Sequence, residues 1–339
     1  MNKSVFAGNQ GPLLIAEIGG NHEGNFEYAK ELTKLAISSK VDYVKFQLYT
    51  GDTLVSRIEG PSRNSHFKRF ELKKEQHIEL AETIIDAGIG YMASVWDEEM
   101  IDWIDRYLPI YKIGSGDLTA YPIIAKIAKK GKPIIISGGL ATEQEIIDTV
   151  KYIQGIDKRY TNPEFLAILQ CTSMYPISEK DANLSVIQRL RELTGLTIGY
   201  SDHTEGNYAL EIAYALGAEI LEFHFTDNRA GKEFRDHKVS LTADEVNDLI
   251  NRIKRINELK GNSIKKPLDV EIENGHVESF RRAVYPRCNI KADSLLTEEN
   301  LICLRPNHGI DAREYENVIG KKTIVDISEH QSILWENLK

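Results

Sequence analysis

Short apolar runs and amphipathic helical segments alternate along the first 260 residues, and this alternation restricts the possible folds more than any other feature. Apolar runs occur at residues 13–18, 43–47, 90–93, 111–113, 133–136, 165–169, 196–199 and 218–221. Because a helical segment follows each run, the strands are predicted to be parallel. Eight repeats indicate an α/β fold, either a (β/α)8 TIM barrel or a doubly wound sheet. Small or ionisable residues follow nearly every run, which favours the barrel, whose active site lies at the carboxyl ends of its strands.

The pattern changes after the last predicted barrel helix, at residues 242–259. The next residues are polar and include Pro267, which is typical of a linker. Short β-like runs at residues 283–285, 301–304 and 323–325 predict a small, mostly β domain. The predicted organisation is a barrel domain at residues 1–260, a linker at 261–277 and a small domain at 278–339.

Composition excludes some classes of function. The 339 residues carry a net charge of −9, which argues against broad binding to nucleic acids or anionic membranes. The amino-terminal residues lack a signal-peptide core, and no apolar run approaches the length of a membrane span. The three cysteines form no CxxC pair, as expected in a reducing compartment. We therefore expect a cytoplasmic protein.

Two histidines follow neighbouring predicted strands. The run at residues 196–199 leads into Ser201, Asp202 and His203, and the run at 218–221 leads into Glu222 and His224. Parallel strands end at the same rim, so both imidazoles can share one divalent metal and leave other positions open for water or substrate. The alternative interpretation is that each histidine is a hydrogen-bonded core residue.

Lysines and serines gather at the same predicted rim. Lys45 and Lys112 lie inside apolar runs, where a lysine needs an anionic partner. Four serines close strands: Ser94, Ser115, Ser137 and Ser201. With the nearby glycine N–H groups, these residues predict a cradle for phosphate or carboxylate. The alternative for each serine alone is a helix N-cap.

Carboxylates at the rim are candidates for a general acid or base. They are Glu17, Glu23, Asp117, Asp202, Glu222 and Asp236. Glu17 lies within a strand and fits a buried carboxylate paired with a lysine, whereas Glu23 lies on the following loop and is freer to act. Tyr175 could contact a sugar or anchor its loop.

Six motifs in this order resemble the bacterial sialic acid synthase family: IAEIGGNHEG, VKFQ, YKIGSG, CTSMYP, GYSDHTEG and HFTD. The tail, including LICLRPNHGI, resembles the antifreeze-like (SAF) domain appended to that family. The resemblance extends over about residues 13–338. It implies a (β/α)8 barrel, a divalent metal (manganese, with magnesium or cobalt in its place) and phosphoenolpyruvate (PEP) as one substrate.

The other implied substrate is an N-acylated aldose, attacked at C1 of its open-chain form. The implied products are a nine-carbon 2-keto acid and inorganic phosphate, released by C–O cleavage of PEP. The implied assembly is a homodimer in which the small domain of each subunit covers the barrel of the other.

The resemblance also assigns residues. His203 and His224 look like metal ligands with a catalytic role, and Glu23 looks like the acid/base residue. The implied PEP-binding set is Lys45, Ser94, Lys112, Ser115, Ser137 and Ser201. The implied acceptor contacts are Tyr175, Asp236 and Arg305, of which the arginine would reach the partner's site.

Some segments depart from the family pattern. Gly138 stands where a threonine is usual, and the stretches at residues 51–70 and 230–235 are expected to shape the acceptor pocket. N-acetylmannosamine and a diacetamido-trideoxyhexose both remain as acceptors. Two other functions also remain: a different metal-dependent barrel aldolase or hydrolase, and a non-catalytic carbohydrate-binding protein.

Overall fold

A computed structural model describes residues 4–339 of the protein. The chain forms two compact units, one that extends to Gly261 and one from Asn262 to Lys339. Among residues 4–339, no helix combines the length and the apolar character that crossing a membrane requires.

The first unit is a closed parallel barrel. A short strand, β1 (Ala7–Gly8), pairs antiparallel with the first barrel strand. The barrel strands are β2 (Gly11–Glu17), β3 (Tyr43–Leu48), β4 (Gly90–Val95), β5 (Tyr111–Ile113), β6 (Ile134–Ser137), β7 (Leu166–Cys171), β8 (Thr197–Asp202) and β9 (Ile220–His224). Each strand pairs in parallel with the next, and β9 pairs with β2. The pairing of β9 with β2 confirms the barrel and excludes the doubly wound sheet.

Helices cover the outside of the barrel. In chain order the helices of this unit are α1 (Phe26–Ser38), α2 (Gly51–Leu54), α3 (Pro61–Phe70), α4 (Lys74–Asp86), α5 (Glu98–Ile104), α6 (Tyr121–Ala128), α7 (Glu143–Ile156), α8 (Val186–Thr194), α9 (Tyr208–Ala215) and α10 (Ala243–Lys260). Local sequence sets several of their ends. Thr142 and Glu145 form a capping box at the start of α7. Gly195 ends α8 with a φ of 65°, a left-handed conformation that glycine adopts at little cost.

Alternate strand residues face the barrel interior. The lower interior is filled by an apolar cluster: Phe6, Leu13, Ile15, Met92, Ile110, Ile135, Ala167, Leu169 and Ile220. This layer closes the amino-terminal end of the barrel. The next inward positions, two residues further along each strand, are mostly polar. They are Glu17, Ser94, Lys112, Ser137, Cys171 and Glu222. The barrel interior can therefore open only at the carboxyl ends of the strands.

Residues 51–70, the polar stretch that is expected to shape the acceptor pocket, are helical and not an irregular loop. They form α2 and α3. The buried side chain of Asn64 donates hydrogen bonds to the carbonyl oxygens of Gly51 at 2.8 Å and Val55 at 2.7 Å, and so ties α3 to α2. Pro61 suits the first turn of α3, where its missing N–H is not needed. The segment is therefore a folded helical wall beside the barrel mouth.

The second unit has its own small core. Strands β10 (Ala283–Pro286) and β11 (Leu301–Leu304) pair antiparallel, as two of the predicted β runs require. The third predicted run, at residues 323–325, is not a regular strand, although Thr323 forms an isolated bridge to Leu338. Three short helices complete this unit: α11 (Asp269–Glu273), α12 (His276–Ser279) and α13 (Tyr315–Val318). Eight buried apolar residues form its core: Val284, Ile290, Leu296, Leu301, Ile310, Val318, Ile327 and Ile333.

Two buried histidines predict acid sensitivity of the barrel. Burial lowers the pKa of His77 to about 3 and that of His22 to about 4, from an ordinary value of 6.5. In the unfolded chain both protonate below pH 6.5, so the free energy of unfolding should fall as the pH is lowered from 6.5 towards 4. Each histidine contributes a slope of about 1.4 kcal/mol per pH unit.

Denaturant unfolding of wild type and His77→Leu across this pH range checks the prediction. At pH 8 the difference between the two proteins measures only the packing change. The variant should then lose stability less steeply than wild type on acidification. Equal slopes would contradict a neutral, buried His77.

Candidate active site

A cavity of 870 Å³ opens at the carboxyl ends of the barrel strands. It brings together most of the residues that the sequence singled out. These are Lys45, Ser94, Lys112, Ser115, Ser137, Tyr175, Ser201, His203, His224 and Asp236. Their convergence follows from the barrel, because each lies in the carboxyl-terminal part of a strand or in the segment that follows it. We call this space the inner cavity.

Two lysines and two glutamates form a buried charge cluster at the floor of the inner cavity. Lys45 Nζ lies 2.8 Å from Glu17 Oε2 and 3.8 Å from Glu222 Oε2. Lys112 Nζ lies 3.7 Å from Glu222 Oε1. The side chains are at most 7% exposed, so water screens these charges poorly. The expected pairing of Glu17 with a lysine is confirmed.

The two glutamates respond differently to this environment. Burial and the negative charge of Glu222 raise the pKa of Glu17, although Lys45 opposes them. Burial would also raise the pKa of Glu222, but Lys112 and Lys45 outweigh it and lower that pKa. Two ammonium groups thus nearly balance two carboxylates. Proton uptake by Glu17 would give the floor net positive charge and favour an anionic ligand.

The serines form hydrogen bonds within or beside this cluster and do not act as helix caps. Lys112 Nζ donates to Ser137 Oγ at 2.6 Å, and Ser201 Oγ donates to Glu222 Oε1 at 2.9 Å. The N–H of Gly139 donates to Ser115 Oγ at 3.1 Å. A Cβ atom on Gly139 would lie 2.6 Å from that hydroxyl oxygen, so only glycine allows this approach. In the described residues, 4–339, none of the four predicted serines caps a helix through its side chain.

The two predicted metal ligands lie side by side. The ring centroids of His203 and His224 are 5.4 Å apart, at the ends of adjacent strands β8 and β9. His203 Nδ1 donates to the carbonyl oxygen of Thr172 at 2.7 Å, because a carbonyl can only accept, and this leaves Nε2 free as a ligand. The ring of Tyr175 covers this pair, 4.0 Å from His203 and 5.5 Å from His224 between centroids.

His224 is unlike a satisfied core histidine. Its Nδ1 is buried without a hydrogen-bond partner in the described part of the chain. Burial and the neighbouring His203 lower its pKa well below the ordinary value, so the ring is neutral and can coordinate a cation. Among residues 4–339, no group of three or more His, Cys, Asp or Glu side chains is arranged to hold a metal. The described residues would thus offer a cation two imidazole nitrogens, and its remaining ligands would have to be water or substrate.

Glu23 lies outside the inner cavity. It lines an adjacent outer cavity of 670 Å³ together with Arg69 and Glu233. Five residues line both spaces: Arg63, His66, Phe67, Phe234 and Arg235. Glu23 therefore does not line the same space as the lysine cluster, although the two cavities adjoin along these five residues. Arg305 belongs to the second unit, where its guanidinium carbon lies 5.3 Å from the ring centroid of Phe280.

Sequence reasoning missed the aromatic wall of the inner cavity. Tyr49 stacks on Trp96 at 5.3 Å and meets the edge of Phe67 at 5.2 Å between ring centroids. Two of these rings continue the strand alternation, since Tyr49 lies two residues beyond Gln47 and Trp96 two beyond Ser94. That spacing was the available signal. Phe67 belongs to α3, within the stretch at residues 51–70 that is expected to shape the acceptor pocket, but no spacing singled it out.

Arg235 was not singled out by itself, although the stretch at residues 230–235 is expected to shape the acceptor pocket. Its Nε donates to Asp236 Oδ1 at 2.9 Å, and its guanidinium lies 4.5 Å from the ring centroid of Tyr175. It therefore joins the two predicted acceptor contacts of the barrel into one group. As a cation at the cavity mouth, it adds positive charge where an anionic substrate would enter.

Comparison with known proteins identifies the family. Residues 32–265 match the NeuB family model. The chain belongs to the NeuB family. Residues 281–339 match the SAF domain model, which agrees with the resemblance seen in the sequence. The family match covers the barrel strands from β3 to β9, and thus both histidines and both buried lysines.

Relatives of the family align along most of their length. N,N'-diacetyllegionaminic acid synthase of Legionella pneumophila is 34% identical, with 96% of this chain and 94% of the relative aligned. The human N-acetylneuraminate-9-phosphate synthase is 32% identical, with 98% and 94% aligned. The solved structure of N-acetylneuraminic acid synthetase from Leptospira borgpetersenii, in complex with citrate, has a TM-score of 0.73 and 30% identity, covering 81% of this chain and 96% of that one.

Proposed function

We propose that this protein condenses PEP with an N-acylated aldose to form a nonulosonic acid and inorganic phosphate. One observation carries the proposal: two buried lysines, four serines and two adjacent histidines line one cavity at the carboxyl end of the barrel. A cavity with this donor set suits a small polyanion beside a carbonyl compound. The synthase activities named for the relatives are of the same class.

The lysine cluster would hold PEP. Lys45 and Lys112 can meet its phosphate and carboxylate, and the serine hydroxyls can fill the remaining acceptor positions. With PEP held, its nucleophilic carbon would attack C1 of the open-chain aldose and form the C–C bond. Water would then add at the enol carbon, and phosphate would leave by C–O cleavage. Fixed charges and dipoles would supply orientation and electrostatic stabilisation.

A divalent metal, with manganese as our choice and magnesium or cobalt as substitutes, is part of the proposal. His203 and His224 would hold it, and the bound cation would polarise the aldehyde oxygen. Tyr175 and Asp236 would position the acceptor beside it. We place the reaction in the cytoplasm. Both N-acetylmannosamine and a diacetamido-trideoxyhexose fit this proposal as acceptors.

Phosphate release from PEP tests the proposed function. The purified protein with manganese is given N-acetylmannosamine, its 6-phosphate or either of two diacetamido-trideoxyhexoses. We expect release with one acceptor and none without acceptor. Release with no acceptor at all would indicate a phosphatase. Neither release nor PEP-dependent thermal stabilisation would overturn the proposal in favour of an aldolase, a hydrolase or a sugar-binding protein.

We also propose a homodimer in which Arg305 of each subunit reaches the acceptor side of the partner's cavity. Its exposed neighbourhood beside Phe280 leaves the guanidinium available for such a contact. Arg305→Ala should raise the KM for the acceptor about 10-fold or more, with the KM for PEP nearly unchanged, because one charged hydrogen bond is worth roughly 1.5–3 kcal/mol.

Steady-state kinetics with each substrate varied in turn measures this effect. Arg313→Ala is the matched control, because Arg313 belongs to the same unit and pairs with Asp311 at the surface. Sedimentation analysis checks the dimer separately. An unchanged acceptor KM in a dimeric Arg305→Ala variant would contradict the placement of Arg305.

A further inference from the structure

A chain of hydrogen bonds links Glu23 to two buried residues, His237 and Thr226, of the segment that follows β9. Glu23 Oε1 lies 3.3 Å from His237 Nε2, and His237 Nδ1 lies 2.7 Å from Thr226 Oγ1. The His237 side chain is 1% exposed, whereas that of Glu23 is 39% exposed and faces the outer cavity. We propose that His237 is a positioning residue that holds the Glu23 carboxyl group and shares one proton with it.

The hydroxyl of Thr226 limits the possible directions of the chain. Its oxygen lies 3.1 Å from Asp227 Oδ1 and 3.0 Å from the carbonyl oxygen of Asn228, and both of these atoms can only accept. The single hydroxyl proton can go to one of these two oxygens or, in the other tautomer of the ring, to Nδ1 of His237. We take the first arrangement, in which the hydroxyl oxygen accepts from His237 and Nδ1 carries a proton.

The proton at Nδ1 fixes what lies between His237 and Glu23. With Nδ1 protonated, a neutral ring presents a lone pair at Nε2 to a carboxylate oxygen 3.3 Å away, which is repulsive. One additional proton, on Nε2 or on the carboxyl group, converts this repulsion into a hydrogen bond. In this arrangement the hydrogen bond between His237 and Glu23 depends on one added proton, and this is the proton that the proposal assigns to the pair.

One ammonium group and three carboxyl groups lie around His237. Lys232 and Asp227 face it from the loop after β9, Glu23 faces it from the loop after β2, and Asp236 precedes it in the chain. Burial lowers the pKa of His237, and its hydrogen bond to Glu23 opposes that effect. These opposing effects allow the proton to move between the imidazole and the carboxyl group, as a shared proton requires.

The backbone around Glu23 is held by separate contacts. The side chain of Asn21 donates to the carbonyl oxygen of Phe225 at 2.9 Å and to Ser240 Oγ at 2.8 Å, which ties this loop to the segments beside His237. Glu23 itself has a φ of 51°, a left-handed conformation that is uncommon outside glycine. The loop is thus fixed by Asn21, and His237 determines where the carboxyl group points.

This inference rests on the proposed condensation and names the residue that keeps its acid/base group in place. When the C–C bond forms, the aldehyde oxygen of the acceptor becomes a hydroxyl and needs a proton, which the pair would donate. Water that adds to the former enol carbon gives up one proton, which the pair would recover. The pair ends the cycle with the proton count at which it began.

Nitrogen-15 NMR of histidine-labelled protein tests the hydrogen-bond chain without turnover. The His237 signals are assigned by their loss in His237→Gln. We expect a protonated Nδ1 and an Nε2 signal that changes in Glu23→Gln. A protonated Nε2 with an unprotonated Nδ1, unaffected by Glu23→Gln, would overturn the proposal. If wild type releases no phosphate, the proposed function fails, and this measurement still decides the pairing.

Kinetics tests the positioning role. His237→Leu should lower kcat about 10- to 100-fold with the KM for PEP nearly unchanged, and His237→Gln, whose amide can still donate to Glu23, should recover part of the loss. Thr226→Val preserves the shape of the side chain and should shift the limb of the pH–rate profile that reports the shared proton. The double variant His237→Leu with Glu23→Gln should be no slower than Glu23→Gln alone. Additive losses, or Thr226→Val with the wild-type profile, would count against a shared proton.

Discussion

Replacing His224 with alanine is expected to remove divalent-metal binding and turnover together. In the proposed site the protein would offer two imidazoles to the cation, so the loss of one would halve its protein ligands. Loss of an outer partner of a metal ligand typically costs 10- to 100-fold in affinity, and loss of the ligand itself should cost more than about 100-fold. His203→Ala should have the same effect, since its Nε2 is the other free ligand nitrogen.

Titration of manganese into the purified protein, followed by calorimetry or by the resonance signal of free manganese, measures this loss. His77→Gln is the matched control, because His77 is a buried histidine of the same barrel that does not line the inner cavity. It should bind manganese as wild type does. Full manganese occupancy in a folded His224→Ala protein would refute the ligand assignment and leave His224 as a core residue.

The inner cavity could be predicted because strands alternate between two environments. Once Ile15 and Ile110 are assigned to the barrel interior, Glu17 and Lys112 must face the same interior one layer higher. A parallel barrel then brings these layers together regardless of the distance in sequence. The alternation of residues along each strand and the number of strand–helix repeats were therefore sufficient to predict which residues form the floor of the inner cavity.

The rim was less predictable because tertiary contacts fold it. Residues 51–70 are polar enough to look like a loop, but the hydrogen bonds of Asn64 to Gly51 and Val55 build helices there. The aromatic wall then depends on Phe67 meeting Tyr49, a contact that no periodic pattern encodes. Secondary structure in such segments is determined by packing partners and not by intrinsic propensity.

Glu23 shows the same limit at a single residue. Its motif predicts a role in acid/base chemistry, yet its partner His237 lies 214 residues away in the chain. The structure places both on loops beyond barrel strands, where the backbone path is free to vary. Only the folded chain reveals that the carboxyl group has a histidine beside it and belongs to the outer cavity.

Replacing Lys45 with methionine is expected to destabilise the barrel by about 3–5 kcal/mol, because breaking a buried ion pair leaves a buried charge without its partner. Lys45 Nζ is the cation 2.8 Å from Glu17 Oε2, and both side chains are at most 4% exposed. Lys112→Met should cost less stability. After this replacement Glu222, the partner of Lys112, still has Lys45 Nζ at 3.8 Å and the hydroxyl of Ser201 at 2.9 Å.

Denaturant unfolding at pH 7 measures these losses, and PEP-dependent thermal stabilisation measures binding. Lys45→Met should also abolish PEP binding. Adding Glu17→Gln to Lys45→Met should restore most of the stability, since it removes the unpaired buried carboxylate, but it should not restore PEP binding. Lys126→Met is the surface control: its pair with Asp102 is partly exposed and should be worth no more than about 1 kcal/mol. If the double variant regained PEP binding, Lys45 would be a structural partner of Glu17 alone, and Lys112 would remain as the anion-binding cation of the inner cavity.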